Sequence, residues 1–246
     1  MRRILLSVLF LVNLGWLSPA TAASQVLRMH HDMPADSALH KGVMVFKQLV
    51  EARSQGQYRV EVFAANSLGD DLEVVQQLQI GAVQAAPIPS AKLSNLAPAL
   101  QMLDLPFLFA SEASADRFMD GPAGARLLAT LPARGLVGAS FWESGFKQMT
   151  CQNVLSRPSG LKGAHVRVME SPILAAQFRA VGGLPVTVSF AETYIALQQG
   201  MVNCQENPIV SIAKMRLHEV QNEIWLSRHG YLGYVFLFSQ HWLRQQ

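Results

Sequence analysis

The chain has 246 residues, half of them hydrophobic, with 20 Lys and Arg against 17 Asp and Glu. That is enough chain to bury a sizeable core or two lobes. The charge excess is small and no run of three basic residues occurs, which excludes a nucleic-acid-binding patch.

Arg2 and Arg3 open the chain ahead of an apolar run from Ile4 to Leu17, which Ser18-Pro19 breaks before the small-x-small pattern Ala20-Thr21-Ala22. The run is roughly 14 residues, short of the roughly 20 that a membrane-spanning helix needs. Residues 1–22 therefore read as an export signal cleaved near Ala22, with an uncleaved anchor as the alternative, and the mature chain as a periplasmic protein. Without Arg2 and Arg3 the mature chain carries 18 basic residues against 17 acidic ones and is nearly neutral.

Val26 to His30 predicts a first strand. Ser37 can cap a following helix whose stripe is Val43, Phe46, Leu49 and Val50. Tyr58 to Phe63 alternates as a second strand. Asn66-Ser-Leu-Gly69 is a turn, and Asp70 or Asp71 then caps a helix with Leu72, Val75 and Leu78 on one face, stopped at Gly81. Val83 to Ile88 is a buried third strand. This β-α-β-α-β spacing argues for a mainly parallel sheet with helices on both faces.

Asp104 to Phe109 is an apolar connector, followed by helices over 111–119 and 123–131. Strands over 136–142 and 146–150 are separated by a glycine-containing bend. Further along come a strand over 164–168, a helix over 172–181 and a strand over 185–188. Ser189 and Glu192 form a capping box that opens a helix ending at Gly200. A strand over 201–205, a helix beginning at Asn207-Pro208 and a last strand over 231–239 complete the chain. The rhythm runs twice, once on each side of residue 144. The expected fold class is α/β with two lobes, each a mainly parallel sheet flanked by helices. Lobe I comprises 23–144 plus 233–246 and lobe II 145–232, with a ligand cleft between them outside the strand ends.

Catalytic patterns are sparse. The chain has no GxSxG, HExxH, P-loop or GxGxxG, and no motif calls for a cofactor. Ser159-Gly-Leu-Lys162 satisfies S-x-x-K, but no S-D-N or K-T-G follows, and the segment reads as a turn before a strand. His30, His31 and His40 lack metal-ligand spacing and read as cleft lining or surface. Cys151 and Cys204 are an even pair in an oxidising compartment and form either a disulfide or two buried thiols. The reading is a binding protein, not an enzyme.

Four segments in order carry a resemblance: Asn66-Ser-Leu-Gly-Asp-Asp71, Gly145-Phe-Lys-Gln-Met-Thr150, Gly163-Ala-His-Val-Arg-Val168, and Phe190 through Pro208 (FAETYIALQQGMVNCQENP). Together they resemble the solute-binding proteins of tripartite ATP-independent periplasmic (TRAP) transporters, of the dicarboxylate-binding type, over about residues 26 to 242. The resemblance implies two α/β lobes that close on a carboxylate ligand and then dock on membrane permease subunits. Arg167 matches the family's carboxylate-binding arginine, whose fork can hold both oxygens. Asn207 matches its ligand-contacting asparagine, and a helix start there would add backbone N–H groups. Lys147 stands where many relatives carry a second arginine, keeping the charge but losing the fork.

First-lobe contacts are expected from His31 and Asp32 after strand one and from Ser90 after strand three. Phe190 and Trp142 wall the cleft or sit in the core. Cys204 replaces the family's usual glycine, and a disulfide to Cys151 would brace lobe II. The chain ends at Gln246, where relatives continue into a long bridging helix. That implies a truncated product, with the apolar run Tyr234 to Phe238 uncovered and solubility dependent on a partner. The competing readings are a periplasmic ligand sensor for a signalling receptor, a hydrolase using Ser159, and a non-functional fragment.

Overall fold

The structure, a computed structural model, describes residues 24–152 and 158–246. The export signal read from the sequence over residues 1–22 lies outside the described residues. The first half runs β1 (Gln25–His30), α1 (Ala38–Arg53), β2 (Tyr58–Phe63), α2 (Asp71–Ile80), β3 (Ala85–Pro89), α3 (Glu112–Met119), α4 (Pro122–Leu128) and β4 (Leu136–Cys151). The second runs β5 (His165–Val168), α5 (Pro172–Ala180), β6 (Leu184–Thr187), α6 (Thr193–Gln198), β7 (Cys204–Pro208), α7 (Ile209–Lys214), β8 (Glu223–Ser239) and α8 (Gln240–Leu243).

Helix starts follow local chemistry. The Ser37 hydroxyl accepts the His40 N–H at 3.1 Å. Asp70 accepts the Leu72 and Glu73 N–H groups while Glu73 takes the Asp70 N–H, a complete capping box. Asp70 is therefore the cap, which leaves the buried Asp71 side chain for another role. Gly81, at φ 80, closes the helix in the left-handed conformation that glycine tolerates.

At Ser189 the expected box forms differently. Its hydroxyl donates to the Glu192 carboxylate at 2.7 Å and accepts the Glu192 N–H at 3.3 Å, closing a turn ahead of α6, which begins at Thr193. Asn207 does not open a helix either: it lies within β7, and α7 starts at Ile209 behind Pro208. Ser159 lies in a short 3-10 turn over Pro158–Leu161, ahead of β5.

The eight strands form one sheet in the order β2-β1-β3-β8-β4-β7-β5-β6. The outer trios are parallel, as the βαβ spacing predicts, but β3–β8, β8–β4 and β4–β7 are antiparallel. The sheet is thus mixed, because β4 and β8 are long strands that run through both halves. The bend expected between two strands is a register irregularity inside one strand. It falls between Glu143 and Gly145, opposite Gly233 and Leu232, with Gly145 at φ 114. A bulge there turns the strand without ending it.

Two apolar layers sandwich the first half of the sheet. Leu27, Met29, Val43, Val60 and Phe236 pack on the α1 side; Val74, Leu78, Ile88, Leu100, Leu131, Val235 and Leu237 pack on the other. The apolar run of β8 is therefore covered, contrary to expectation. Alternation sends Phe236 to one layer, where it stacks on Trp142 at 4.8 Å and meets Phe46 at 5.0 Å, and Val235 and Leu237 to the other. Tyr234, Val235, Phe236 and Leu237 are all buried.

The second half has its own layers, around Met149, Val166, Val168 and Phe178 and around Val188, Leu197, Val202 and Ile212. Cys151 and Cys204, register partners on β4 and β7 with Cα atoms 4.1 Å apart, are joined as a disulfide. No helix among the described residues is long and apolar enough to cross a membrane.

Candidate functional site

Strand alternation assembles one wall of the site. Arg167 on β5 is the register partner of Gln205 on β7, and Asn207, two residues on, shares its face. The Asn207 side-chain amide donates to Gln205 Oε1 at 2.7 Å, and Gln205 Nε2 donates to the Thr150 hydroxyl at 2.8 Å, so this polar strand is satisfied within the sheet. Arg167 is fully buried. Its Nε donates to the Val188 carbonyl at 2.9 Å, and its Cζ lies 6.0 Å from the Phe190 ring centroid. Its Nη2 is buried without a hydrogen-bond partner among the described residues. Burial draws the guanidinium pKa below its usual value, opposed by the Glu170, Glu206, Asp71 and Asp32 carboxylates.

Phe190, Asn207, Met169 and Ser211 form the second-half side of a narrow inner pocket; Asp32, Asp71, Lys92 and Tyr234 face them from the first half. Tyr234 donates to both Asp32 oxygens at 3.1 Å. Burial, then the neighbouring Asp71, push the Asp32 carboxyl well above the usual range. The Lys92 ammonium lies 2.7 Å from Glu170 and 4.0 Å from Asp71. His30 Nε2 lies 3.8 Å from Asp71.

This inner pocket is about 10 Å³ in volume, room for one water, so a larger ligand requires the two sides to part. Tyr234 also borders a wider mouth of about 500 Å³ between Met33, Ser37 and Leu39 on one side and Ile209, Val210 and Lys214 on the other. Lys214 reaches across to Asp36 at 2.6 Å.

Of the residues read from the sequence, Asn207, Phe190 and Asp32 line the inner pocket, and Arg167 adjoins it through Phe190. Ser90 is buried one residue past Pro89, which lines the pocket, and begins the 3-10 turn that carries Lys92 into it. Lys147 does not join them. Gln148 pairs with Asn207 across β4 and β7, so alternation turns Lys147 to the opposite face. There its ammonium donates to Glu206 at 2.8 Å, and His229 lies 2.6 Å from the other Glu206 oxygen. Burial pushes Glu206 up, but Lys147 and His229 outweigh it and hold the carboxyl at about 2.

Trp142 is half-buried, packed on the α1-side core and stacked on Phe236, and His31 turns toward α1, where its Nε2 shares a 2.9 Å hydrogen bond with His40. Asp71, Lys92, Tyr234 and Ser211 were not foreseen. The doubled aspartate was their one signal, since a single cap leaves its neighbour unexplained.

The sequence matches the bacterial extracellular solute-binding protein family 7 over residues 29–246. The chain belongs to this family. Among family 7 relatives, it is 35% identical over 226 residues to the C4-dicarboxylate-binding periplasmic protein DctP of Rhodobacter capsulatus, covering 91% of this chain and 68% of that one. It is 35% identical over 202 residues to the C4-dicarboxylate-binding protein DctB of Bacillus subtilis, covering 82% of this chain and 58% of that one. The chain thus spans about two thirds or less of the length of these relatives.

Two solved structures share the two-lobe fold. The sugar acid binding protein of Advenella mimigardefordensis in complex with galactonate superposes with a TM-score of 0.88 at 33% identity, covering 91% of this chain and 72% of that one. A TRAP periplasmic solute-binding protein of Sulfurospirillum deleyianum with bound succinate gives 0.88 at 32% identity, covering 91% and 73%.

Proposed function

We propose that this chain is a periplasmic solute-binding protein that captures a small organic carboxylate between its lobes and delivers it to the membrane subunits of a TRAP-type transporter. The observation that carries this reading is Arg167: a buried guanidinium with one terminal nitrogen unpartnered among the described residues, beside the Phe190 ring that lines the pocket. An arginine is costly to bury unless an anion pairs with it, and its planar fork suits a carboxylate. The named relatives, which bind C4-dicarboxylates, and the neighbours with galactonate and succinate bound support the ligand class.

Residues 145–232 make one lobe and 23–144 with 233–246 the other, hinged where β4 and β8 lose register at Gly145. Capture by closure needs no reacting group, and the site residues serve recognition. Calorimetry tests the anchor. Arg167→Ala should weaken binding of the carboxylate ligand at least a hundredfold, on the order of 3 kcal/mol, because a charge-assisted bidentate pair is lost. Affinity within twofold of the unaltered protein would overturn it.

A further inference from the structure

The relatives and neighbours span both dicarboxylates and sugar acids, and the charges around this cleft separate the two. Arg167 answers one carboxylate. A second would need a second cation, and among the described residues the cations lining the cleft are Lys92, which has Asp71 at 4.0 Å on its own side of the cleft as well as Glu170 at 2.7 Å across it, and Lys214, whose side chain is 37% exposed at the mouth beside Asp36, where solvent screens its charge.

The wall opposite Asn207 carries two carboxylates, Asp32 and Asp71, against the single cation Lys92. Asp71 is buried, lines the inner pocket and holds one oxygen without a hydrogen bond among the described residues. Asp32 beside it adds no positive charge in either protonation state. The mouth adds Glu112 and Glu143. A distal carboxylate facing this wall meets like charge in a poorly screened interior, whereas a hydroxyl can donate to Asp71. Ser211, also buried, lining the pocket and without a hydrogen-bond partner among the described residues, can donate back to that hydroxyl.

We infer that this cleft selects a polyhydroxylated monocarboxylate over a dicarboxylate, with Arg167 on the carboxylate and Asp71 and Ser211 on the hydroxyls. The inference rests on the carboxylate-anchor reading above and adds the identity of the ligand's other end. It uses rejection as well as attraction: Asp71 repels the competing ligand and completes the bonding of the preferred one.

Calorimetry with erythronate, galactonate and succinate tests it; erythronate matches succinate in carbon number, with a hydroxymethyl group in place of one carboxylate and a hydroxyl on each internal carbon. At least one sugar acid should bind tenfold or more tighter than succinate, and Asp71→Asn should narrow that ratio at least tenfold by weakening the sugar acid and admitting succinate. Succinate binding as tightly as both sugar acids, with binding still lost in Arg167→Ala, would overturn the selectivity and leave the anchor standing. A preference unchanged in Asp71→Asn would overturn the role given to Asp71. If none of the three acids binds, or if Arg167→Ala leaves their affinities within twofold, the anchor falls and the selectivity with it.

Discussion

Lys147 offers the sharpest separation of a structural from a ligand-binding role. Its ammonium donates to Glu206 at 2.8 Å, and both side chains are 1% exposed. Lys147→Met removes the cation and leaves a buried carboxylate with His229 at 2.6 Å and Gln177 at 3.3 Å. Breaking one partner of a buried pair costs about 3–5 kcal/mol. The carboxyl itself gives a similar figure: its fall from 4.5 to about 2 corresponds to about 3 kcal/mol of preference for the charged form.

The sign follows from linkage. A depressed carboxyl stabilises the fold above its unfolded pKa, and that contribution is lost as pH falls from 4.5 toward 2. Urea unfolding at pH 7 should therefore show Lys147→Met destabilised by about 3 kcal/mol or more, while the double variant Lys147→Met/Glu206→Leu recovers most of the loss because no lone charge remains. Ligand affinity of whatever Lys147→Met protein is folded should stay within about threefold. Unchanged stability with a tenfold or greater loss of affinity would refute this reasoning and return Lys147 to the ligand.

Two further outcomes follow from buried groups elsewhere. The Cys151–Cys204 disulfide closes a sequence separation of 53 residues, so its loss in Cys151→Ser/Cys204→Ser should cost up to about 4 kcal/mol on the loop-entropy account; thermal unfolding of the variant within 2 °C of the parent would contradict it. His31 is held at about 4 by burial and by His40 and His30; the unfolded chain therefore binds the extra proton first as pH falls, and stability declines between pH 6.5 and 4 by at most about 3 kcal/mol. His31→Gln should flatten that slope in chemical unfolding series at pH 7, 5.5 and 4.5, whereas parallel profiles for the two proteins would place the titration elsewhere. Asp32, raised instead of lowered, contributes a slope of opposite sign in both proteins, so the difference between the profiles is the quantity to read.

Much of the molecule is local and was legible as such. Ser37 and one of two adjacent aspartates cap their helices because a side-chain oxygen reaches the first free N–H groups whatever the rest of the chain does. The α/β rhythm set the fold class, motif context singled out Arg167, Asn207 and Phe190 as candidate ligand contacts, and the position after strand one singled out Asp32. What sequence misread depends on pairing between distant segments. The strand expected to end at Gln205 runs on to Pro208 because Thr150 and neighbouring side chains satisfy this polar stretch in mid-sheet, and Glu223–Gly230 extends β8 because β4 lies beside it. Lys147, Trp142 and His31 looked available for a ligand, yet each found a partner from far along the chain or from a facing helix: Glu206, Phe236 and His40. The number and type of charges were fixed by sequence alone. Which of them remain uncommitted was decided by the tertiary structure, because one residue of strand register turns a side chain from the cleft to the opposite face.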